Sequence, residues 1–426
     1  MSQSQISISN LKKMDLLRFL TAGSVDDGKS TLIGRLLYDT DSIKVDQLQT
    51  IQKQSKNVNE GEIDLALFTD GLRAEREQGI TIDVAYKYFN TDKRKFIIAD
   101  TPGHIQYTRN MVTGASNADL IIILIDARIG VSEQTRRHSI IASLLKIPHV
   151  VVAINKMDMV DYAEDVYNNI AADYTKIAQQ LDIKNPAFIP ISALIGDNIV
   201  NPSVNTPWYK GQTLLHFLEN VNIVKDVNLT HPRFPVQYVI RPQSDELHDY
   251  RGYAGKVISG TYKKGDEVLV LPDGIPSTIE AVEINGEEVD EVFASQSAVI
   301  RLKDDIDINR GDFIVAKHST PKTEQEFDTL LCWMDSKPLR EGNKYLFQLH
   351  SRTVRCVVRD IHYKLNVNTL EKETGVTEAV LNDVVKVTIK TASPIVYDSY
   401  NELRTSGGAI LIDETAFTTA AGCMLQ

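Results

Sequence analysis

A glycine-rich loop lies between an apolar strand and a helix near the start of the chain. The run 16–22 predicts a β-strand, and residues 30–38 predict an α-helix. The loop and the first helical residues read Gly23, Ser24, Val25, Asp26, Asp27, Gly28, Lys29, Ser30 and Thr31. Glycines at this spacing let backbone N–H groups turn towards a phosphate, while the helix N-terminus and the lysine add positive charge. An ordinary glycine turn needs neither the lysine nor the hydroxyl, so the loop predicts nucleoside triphosphate binding with Ser30 on Mg²⁺.

A second motif follows the predicted strand 95–99. It reads Asp100, Thr101, Pro102, Gly103 and His104. An acid at the carboxyl end of a buried strand can hold a metal ion, and a glycine lets its backbone N–H approach the terminal phosphate. We expect Asp100 on the metal, Gly103 at the γ-phosphate, and His104 orienting the attacking water. The alternative for His104 is a packed or solvated histidine.

Two more motifs indicate which base is bound. The predicted strand 150–154 is followed by Asn155, Lys156, Met157 and Asp158, and the strand 188–191 by Ser192, Ala193 and Leu194. A carboxylate at Asp158 can accept from the N1–H and 2-amino groups of guanine, neither of which adenine presents. A backbone N–H after the second strand could reach the guanine O6. Each motif alone is weak evidence, but four motifs in this order, each at the end of a strand, predict that the bound nucleotide is GTP.

The stretch 75–83 is the candidate for a switch that senses the third phosphate. Thr81 would close over Mg²⁺, and a loop that gains a metal ligand in only one nucleotide state becomes ordered in that state. We expect Val25 and Ile80 to flank the attacking water as an apolar gate. The alternative is a charged helix end followed by a strand. With these residues the sequence predicts GTP hydrolysis.

A chain of 426 residues is too long for one hydrophobic core, and its predicted secondary structure changes along the sequence. After a polar tail (1–15), residues 16–226 alternate strands with helical stretches such as 133–145 and 162–181, which predicts an α/β domain with a mostly parallel, doubly wound sheet. A short link at 90–94 predicts an antiparallel hairpin between strands 84–89 and 95–99. Short β-rich runs with glycine turns then predict two antiparallel β-barrels, at 227–317 and 327–426, joined by a linker at 318–326.

Composition narrows the class of partner. A net charge of −11 disfavours a broad nucleic-acid-binding face or binding to an anionic membrane. The polar tail has no apolar core of signal-peptide length. The longest apolar run, 120–125, is too short to cross a bilayer and predicts a buried parallel strand. We therefore expect a cytoplasmic protein that acts without a membrane, and the charge disfavours nucleic acid as a partner, although a local basic patch can bind RNA on an acidic protein.

The GTPase motifs followed by two barrels resemble the elongation factor Tu and eukaryotic elongation factor 1-alpha class of translational GTPases over nearly the whole chain. Within that class, residues 23–38, 100–111, 134–139 and 251–255 resemble the large, GTPase subunit of bacterial sulfate adenylyltransferases. Ser24 and Gln78 argue against a translation factor. The elongation factors have His at the position of Ser24 and usually Arg or Lys at the position of Gln78. The alternative function is an elongation factor that delivers aminoacyl-tRNA.

The resemblance implies GTP and Mg²⁺ as ligands, held by the motif residues named above. It also implies a partner, the small catalytic subunit of sulfate adenylyltransferase, which joins ATP and sulfate into adenosine 5′-phosphosulfate and pyrophosphate. Some relatives carry a fused adenylylsulfate kinase. This chain shows no second phosphate-binding loop, so we expect that kinase activity to reside elsewhere.

Overall fold

The structure, a computed structural model, describes residues 16–43, 65, 84–102, 108–223, 228–242, 250–366, 369 and 371–426. The chain divides into two compact units, Met1–Val224 and Lys225–Gln426. Among the described helices, none combines the length and the apolar character needed to cross a bilayer.

Strands and helices alternate in the described part of the first unit. The strands are β1 (Leu16–Ala22), β2 (Ala85–Asn90), β3 (Lys95–Asp100), β4 (Leu120–Asp126), β5 (His149–Asn155) and β6 (Ala187–Pro190). The helices are α1 (Lys29–Asp39), α2 (Thr108–Ala115), α3 (Glu133–Leu144), α4 (Glu164–Gln180) and α5 (Leu214–Asn220), with a short 3₁₀ turn at Met157–Val160. The predicted helices at 30–38, 133–145 and 162–181 are confirmed to within two residues at each end.

The strands of this unit form one sheet in the order β2-β3-β1-β4-β5-β6. Neighbours from β3 to β6 are parallel, whereas β2 runs antiparallel to β3. The predicted α/β fold and its hairpin are thereby confirmed. Because parallel strands end at the same edge of a sheet, the ends of β1, β3, β4, β5 and β6 gather there, and open α/β sheets bind ligands outside that edge.

Helices cover both faces of the sheet. Every residue of β4 is buried, which explains its continuous apolar sequence. On one face, Phe19 of β1 belongs to the same buried cluster as Leu32 and Leu36 of α1. On the other face, Gly114 of α2 lies against Ala99 of β3. Each buried leucine of α1 contributes about 1.5–3 kcal/mol relative to an exposed one, so the packing of α1 fixes the loop that precedes it.

The second unit contains two antiparallel barrels. The strands of the first barrel are β7 (Arg233–Ile240), β8 (Gly252–Lys256), β9 (Thr261–Lys263), β10 (Glu267–Leu271), β11 (Ile275–Ile284), β12 (Glu287–Val289), β13 (Glu291–Phe293), β14 (Ser297–Leu302) and β15 (Phe313–Ala316). Those of the second are β16 (Lys322–Trp333), β17 (Leu339–Arg340), β18 (Lys344–Leu349), β19 (Arg352–Leu365), β20 (Lys372–Thr374), β21 (Glu378–Ala379), β22 (Val384–Tyr397), β23 (Gly408–Ile412) and β24 (Thr419–Leu425), with a short helix α6 (Arg404–Gly407).

Each barrel closes through one additional pairing. The first sheet runs β10-β15-β7-β8-β14-β11-β12 and closes through β10–β11, while the second runs β18-β23-β24-β16-β22-β19-β20 and closes through β18–β19. The turn at Asn285-Gly286 joins β11 to β12 with φ of 53° and 85°. Two consecutive left-handed residues match the twist of a two-residue hairpin, which explains the Asn-Gly pair. The two predicted barrels are confirmed.

The predicted linker at 318–326 differs from the structure in its second half. Strand β16 begins at Lys322 and pairs with the end of β22, with Lys322 opposite Tyr397. The first five residues of β16 are exposed. Because these five residues have no buried face, they show no alternation of apolar and polar side chains. Their composition is therefore like that of a linker.

A buried ion pair holds the two barrels together. The guanidinium of Arg233 in β7 donates from Nε and Nη2 to the two oxygens of Asp398, at 2.9 and 2.8 Å. Its Nη1 donates to the carbonyls of Pro232 and Ser319. A planar fork matched to a carboxylate is the geometry in which an arginine ion pair is strongest.

Candidate nucleotide-binding site

The glycine-rich loop is held by hydrogen bonds within itself. The Lys29 ammonium donates to the carbonyl oxygens of Gly23 and Ser24, at 3.0 and 2.7 Å. The Asp27 carboxylate accepts from the backbone N–H of Ser24 at 2.5 Å. Gly28 has φ of +90°, and a Cβ placed there would lie 2.5 Å from Nδ2 of Asn155. Both the conformation and the close approach require glycine at this position.

Buried charge is concentrated at the start of α1. Burial lowers the pKa of Lys29, and the negative charges of Asp100, Asp27 and Asp26 oppose that effect. Burial raises the pKa of Asp27, against the hydrogen bond from Ser24 and the charge of Lys29. An ammonium removed from water in this way gains most from an anionic ligand, so the electrostatics fit the predicted phosphate site.

The other predicted residues of this loop lie around Lys29. Ser30 and Thr31 are partly exposed in the first turn of α1, and Val25 is partly exposed in the loop. Asp26 is exposed and has a left-handed backbone with φ of 67°.

The end of β3 brings Asp100 beside this loop. Asp100 is buried, and its carboxylate accepts from Oγ1 of Thr21 at 3.4 Å. The Thr101 hydroxyl donates to the carbonyl of Thr21 at 2.7 Å, which ties the end of β3 to β1. Pro102 is also buried. The predicted residues Gly103, His104, Ile80 and Thr81 lie outside the described residues.

The donors near Lys29 fit a hard divalent cation. Ser30 offers a hydroxyl oxygen and Asp100 a carboxylate oxygen, and Mg²⁺ in nucleotide sites binds through one or two such protein ligands together with phosphate oxygens. Within the described ranges, His, Cys, Asp and Glu side chains form no cluster of three or more suited to a metal.

Asn155 joins three of the sequence motifs. It ends β5, is 2% exposed, and donates from Nδ2 to the carbonyl of Asp27 at 2.7 Å. Its Oδ1 accepts from the backbone N–H of Ala193 at 2.9 Å. The backbone N–H of Met157 donates to the carbonyl of Ile191. One buried amide therefore holds the phosphate loop, the turn after β5 and the segment after β6 in a fixed relation.

The residues predicted to contact the base lie on these two segments. Asp158 is in the first turn of the 3₁₀ segment and is partly exposed. Ser192 is buried, its hydroxyl accepts from the backbone N–H of Ile195, and Leu194 is 60% exposed. The carbonyls of Ala193 and Leu194 accept from the Arg35 guanidinium of α1. In the segment after β6, Ser192 and Ala193 are thus buried beside the turn that carries Asp158, and Leu194 is exposed.

Sequence reasoning missed two residues at this edge. Asp126 ends β4 and is 2% exposed, and its carboxylate lies 2.9 Å from the Lys156 ammonium. The available signal was an acid at the end of the most apolar strand. His138 of α3 is buried, and burial, with the charges of Lys29 and Arg137, lowers its pKa to about 3. No sequence pattern indicates that the middle of α3 lies near the phosphate loop.

Comparison with known proteins agrees with this geometry. Residues 14–229 match the family model described as elongation factor Tu GTP binding domain, and residues 326–425 match the GTP-eEF1A C-terminal domain-like model. The first unit is therefore a GTP-binding domain of the elongation factor Tu class, as the sequence predicts. A structure of sup35 complexed with GDP aligns over 99% of this chain and 97% of its own, with a TM-score of 0.44 and 21% identity.

Curated relatives define the branch within this class. Sulfate adenylyltransferase subunit 1 of Alteromonas mediterranea is 52% identical over 97% of this chain and 88% of its own length. The protein of that name from Bacteroides fragilis is 49% identical, over 97% and 86%. The bifunctional enzyme CysN/CysC of Mycobacterium tuberculosis is 52% identical, over 96% and 67%. The chain belongs to the sulfate adenylyltransferase subunit 1 family of GTPases, and the predicted resemblance is confirmed.

Proposed function

We propose that this chain is the large subunit of a sulfate adenylyltransferase and couples GTP hydrolysis to the reaction of a small catalytic subunit. That reaction joins ATP and sulfate into adenosine 5′-phosphosulfate and pyrophosphate. The product carries a mixed phosphate–sulfate anhydride whose formation is uphill, so an energy source is required. Relatives about 50% identical over nearly the whole chain support the proposal, and their name, subunit 1, implies an assembly with another subunit.

The observation that carries the nucleotide assignment is the bridge made by Asn155 between the phosphate loop and the segment after β6. In the proposal, the backbone from Gly23 to Thr31 and the Lys29 ammonium hold the phosphates. Asp158 accepts from the guanine edge, and a backbone N–H in the segment Ser192–Leu194 donates to its O6. A binding pocket pre-assembled by buried hydrogen bonds loses little entropy when the ligand enters.

The catalytic part of the proposal concerns hydrolysis. Ser30, Thr81 and Asp100 would hold Mg²⁺, which offsets charge on the phosphate oxygens when bound. His104 orients the attacking water. Val25 and Ile80 shield that water from bulk solvent.

GTP turnover by the purified chain tests the coupling. It is measured alone, with the small subunit, and with the small subunit plus ATP and sulfate, omitting each component in turn. We expect turnover to rise only when all are present. A turnover that does not respond to the partner's reaction contradicts the coupling.

Filter binding of aminoacyl-tRNA in the GTP state separates this function from the alternative named above. The proposal requires negligible binding, and tight binding would support a tRNA carrier instead.

A further inference from the structure

An ion cluster at the end of β4 lies beside the turn that carries the predicted guanine contact. The cluster consists of Asp126, Arg128 and Lys156. The Arg128 guanidinium donates from Nε at 3.0 Å to Oδ1 and from Nη2 at 2.6 Å to Oδ2 of Asp126, and its backbone N–H donates to Oδ1 at 2.9 Å. The Lys156 ammonium lies 2.9 Å from Oδ2. Both carboxylate oxygens thus accept from cationic groups, and the acid is 2% exposed.

The strand register explains why these groups meet. Asp126 ends β4 directly opposite Asn155, which ends β5, and the backbone N–H of Ala127 donates to the carbonyl of Asn155. Lys156 is therefore the first residue beyond the sheet on the neighbouring strand. Its backbone is left-handed, with φ of 63°. A residue with a side chain seldom adopts this conformation unless surrounding contacts hold it there.

The charge on Asp126 is secured by its partners. Burial alone would raise the pKa of Asp126, but the hydrogen bonds from Arg128 and Lys156 outweigh it and hold that pKa well below its usual range. The cluster also borders both halves of the site. The charges of Asp126 and Lys156 act on Asp27 of the phosphate loop, and the charge of Asp158 acts on Arg128.

We infer that Asp126 is a positioning residue for base selection: it holds Lys156 by its ammonium and thereby fixes the turn from Asn155 to Asp158 against the guanine edge. Arg128 orients the Asp126 carboxylate, whose Oδ2 accepts from both Arg128 and Lys156. This inference rests on the proposed binding of guanine nucleotides by Asp158. It adds a residue that touches neither the base nor the phosphates.

The test compares GDP with inosine diphosphate, which keeps the phosphates and the ring but lacks the 2-amino group that Asp158 is proposed to bind. Affinities are measured by displacement of a fluorescent guanine nucleotide from the full chain. A wild-type protein that binds GDP no more tightly than inosine diphosphate contradicts the proposed guanine contact itself. The inference is judged by how the ratio of the two affinities changes in variants.

Asp126→Asn keeps the size of the side chain but removes its charge. We expect GDP affinity to fall about tenfold, the usual cost of losing a charged hydrogen bond, and inosine diphosphate affinity to fall about threefold. The preference for GDP then shrinks about threefold. Asp173→Asn is the matched control, because Asp173 is an exposed acid of α4 paired with Lys176, and it should change neither affinity. Equal losses for both nucleotides would overturn the inference.

A double-mutant cycle identifies the route. If Asp126 acts through the Lys156 ammonium, Asp126→Asn should leave the nucleotide preference unchanged in a Lys156→Met background, which keeps the aliphatic stem. A preference that still shifts in that background overturns the inference. Should Asp126→Asn not fold, Arg128→Gln tests the same step, because Arg128 is exposed and the change removes the guanidinium that orients the Asp126 carboxylate towards Lys156. It should shrink the preference in the same direction, and an unchanged preference counts against the inference.

Discussion

Replacing Asn155 by alanine removes the amide that joins the phosphate loop to the segment after β6. Two backbone groups then lose their partners, the carbonyl of Asp27 and the N–H of Ala193. Leaving a buried polar group unsatisfied costs about 1–3 kcal/mol, so the free energy of unfolding should fall by about 2–6 kcal/mol. Domain stabilities are commonly about 5–15 kcal/mol, so most Asn155→Ala molecules should remain folded.

The same change should weaken nucleotide binding, because two contact segments lose their fixed relation. We expect GDP affinity to fall at least tenfold, about 1.4 kcal/mol. The measurements are urea unfolding for stability and equilibrium titration with a fluorescent GDP analogue for affinity, both on the full chain.

Asn198 provides the matched control within the same unit. It is also 2% exposed, and its amide bonds the carbonyl of Pro190, the hydroxyl of Thr206 and the N–H of Ser203. Asn198→Ala therefore removes the partner of the buried Pro190 carbonyl and of the partly buried Ser203 N–H, without touching the phosphate loop. We expect a similar loss of stability and a nearly unchanged GDP affinity. Equal losses of GDP affinity in the two variants would refute the reasoning, since the effect would then follow from general destabilisation.

Three other changes test separate parts of the molecule. His104→Ala should slow GTP hydrolysis by about 10²-fold or more while leaving nucleotide affinity nearly intact, and equal losses in both would indicate a structural role. Asp158→Asn should move preference from guanine towards xanthine nucleotides, because the donor and acceptor at the base edge are exchanged; an unchanged GTP preference in competition binding would exclude the contact. Arg233→Met should lower the stability of the barrel unit by about 3–5 kcal/mol in urea unfolding, because Asp398 keeps a buried, unpaired charge. Arg340→Met, which breaks an exposed ion pair, should cost below about 1 kcal/mol, and a comparable cost in both variants would contradict that account.

Local sequence patterns were sufficient for strands that are mostly buried. The bounds of β1 agree with the prediction at every residue, and β4 was identified from its apolar run. The first residues of β16 were assigned to a linker, since they are exposed and leave no periodic signal. The 3₁₀ turn at Met157–Val160 comes directly after Lys156, whose backbone is left-handed. The residue types of this segment do not predict that conformation.

The sequence by itself determined the order of the motifs, the chemistry that each motif offers and the fold class, because glycine spacing, strand-end acids and apolar runs act over a few residues. The tertiary structure alone decided that Asn155 bonds Asp27 and Ala193, and that Asp126 pairs with Lys156. These partners are far apart in the chain and meet through the register of parallel strands. Strands β4 and β5 are buried on both faces and read as continuous apolar runs, so no alternation in the sequence marks their register.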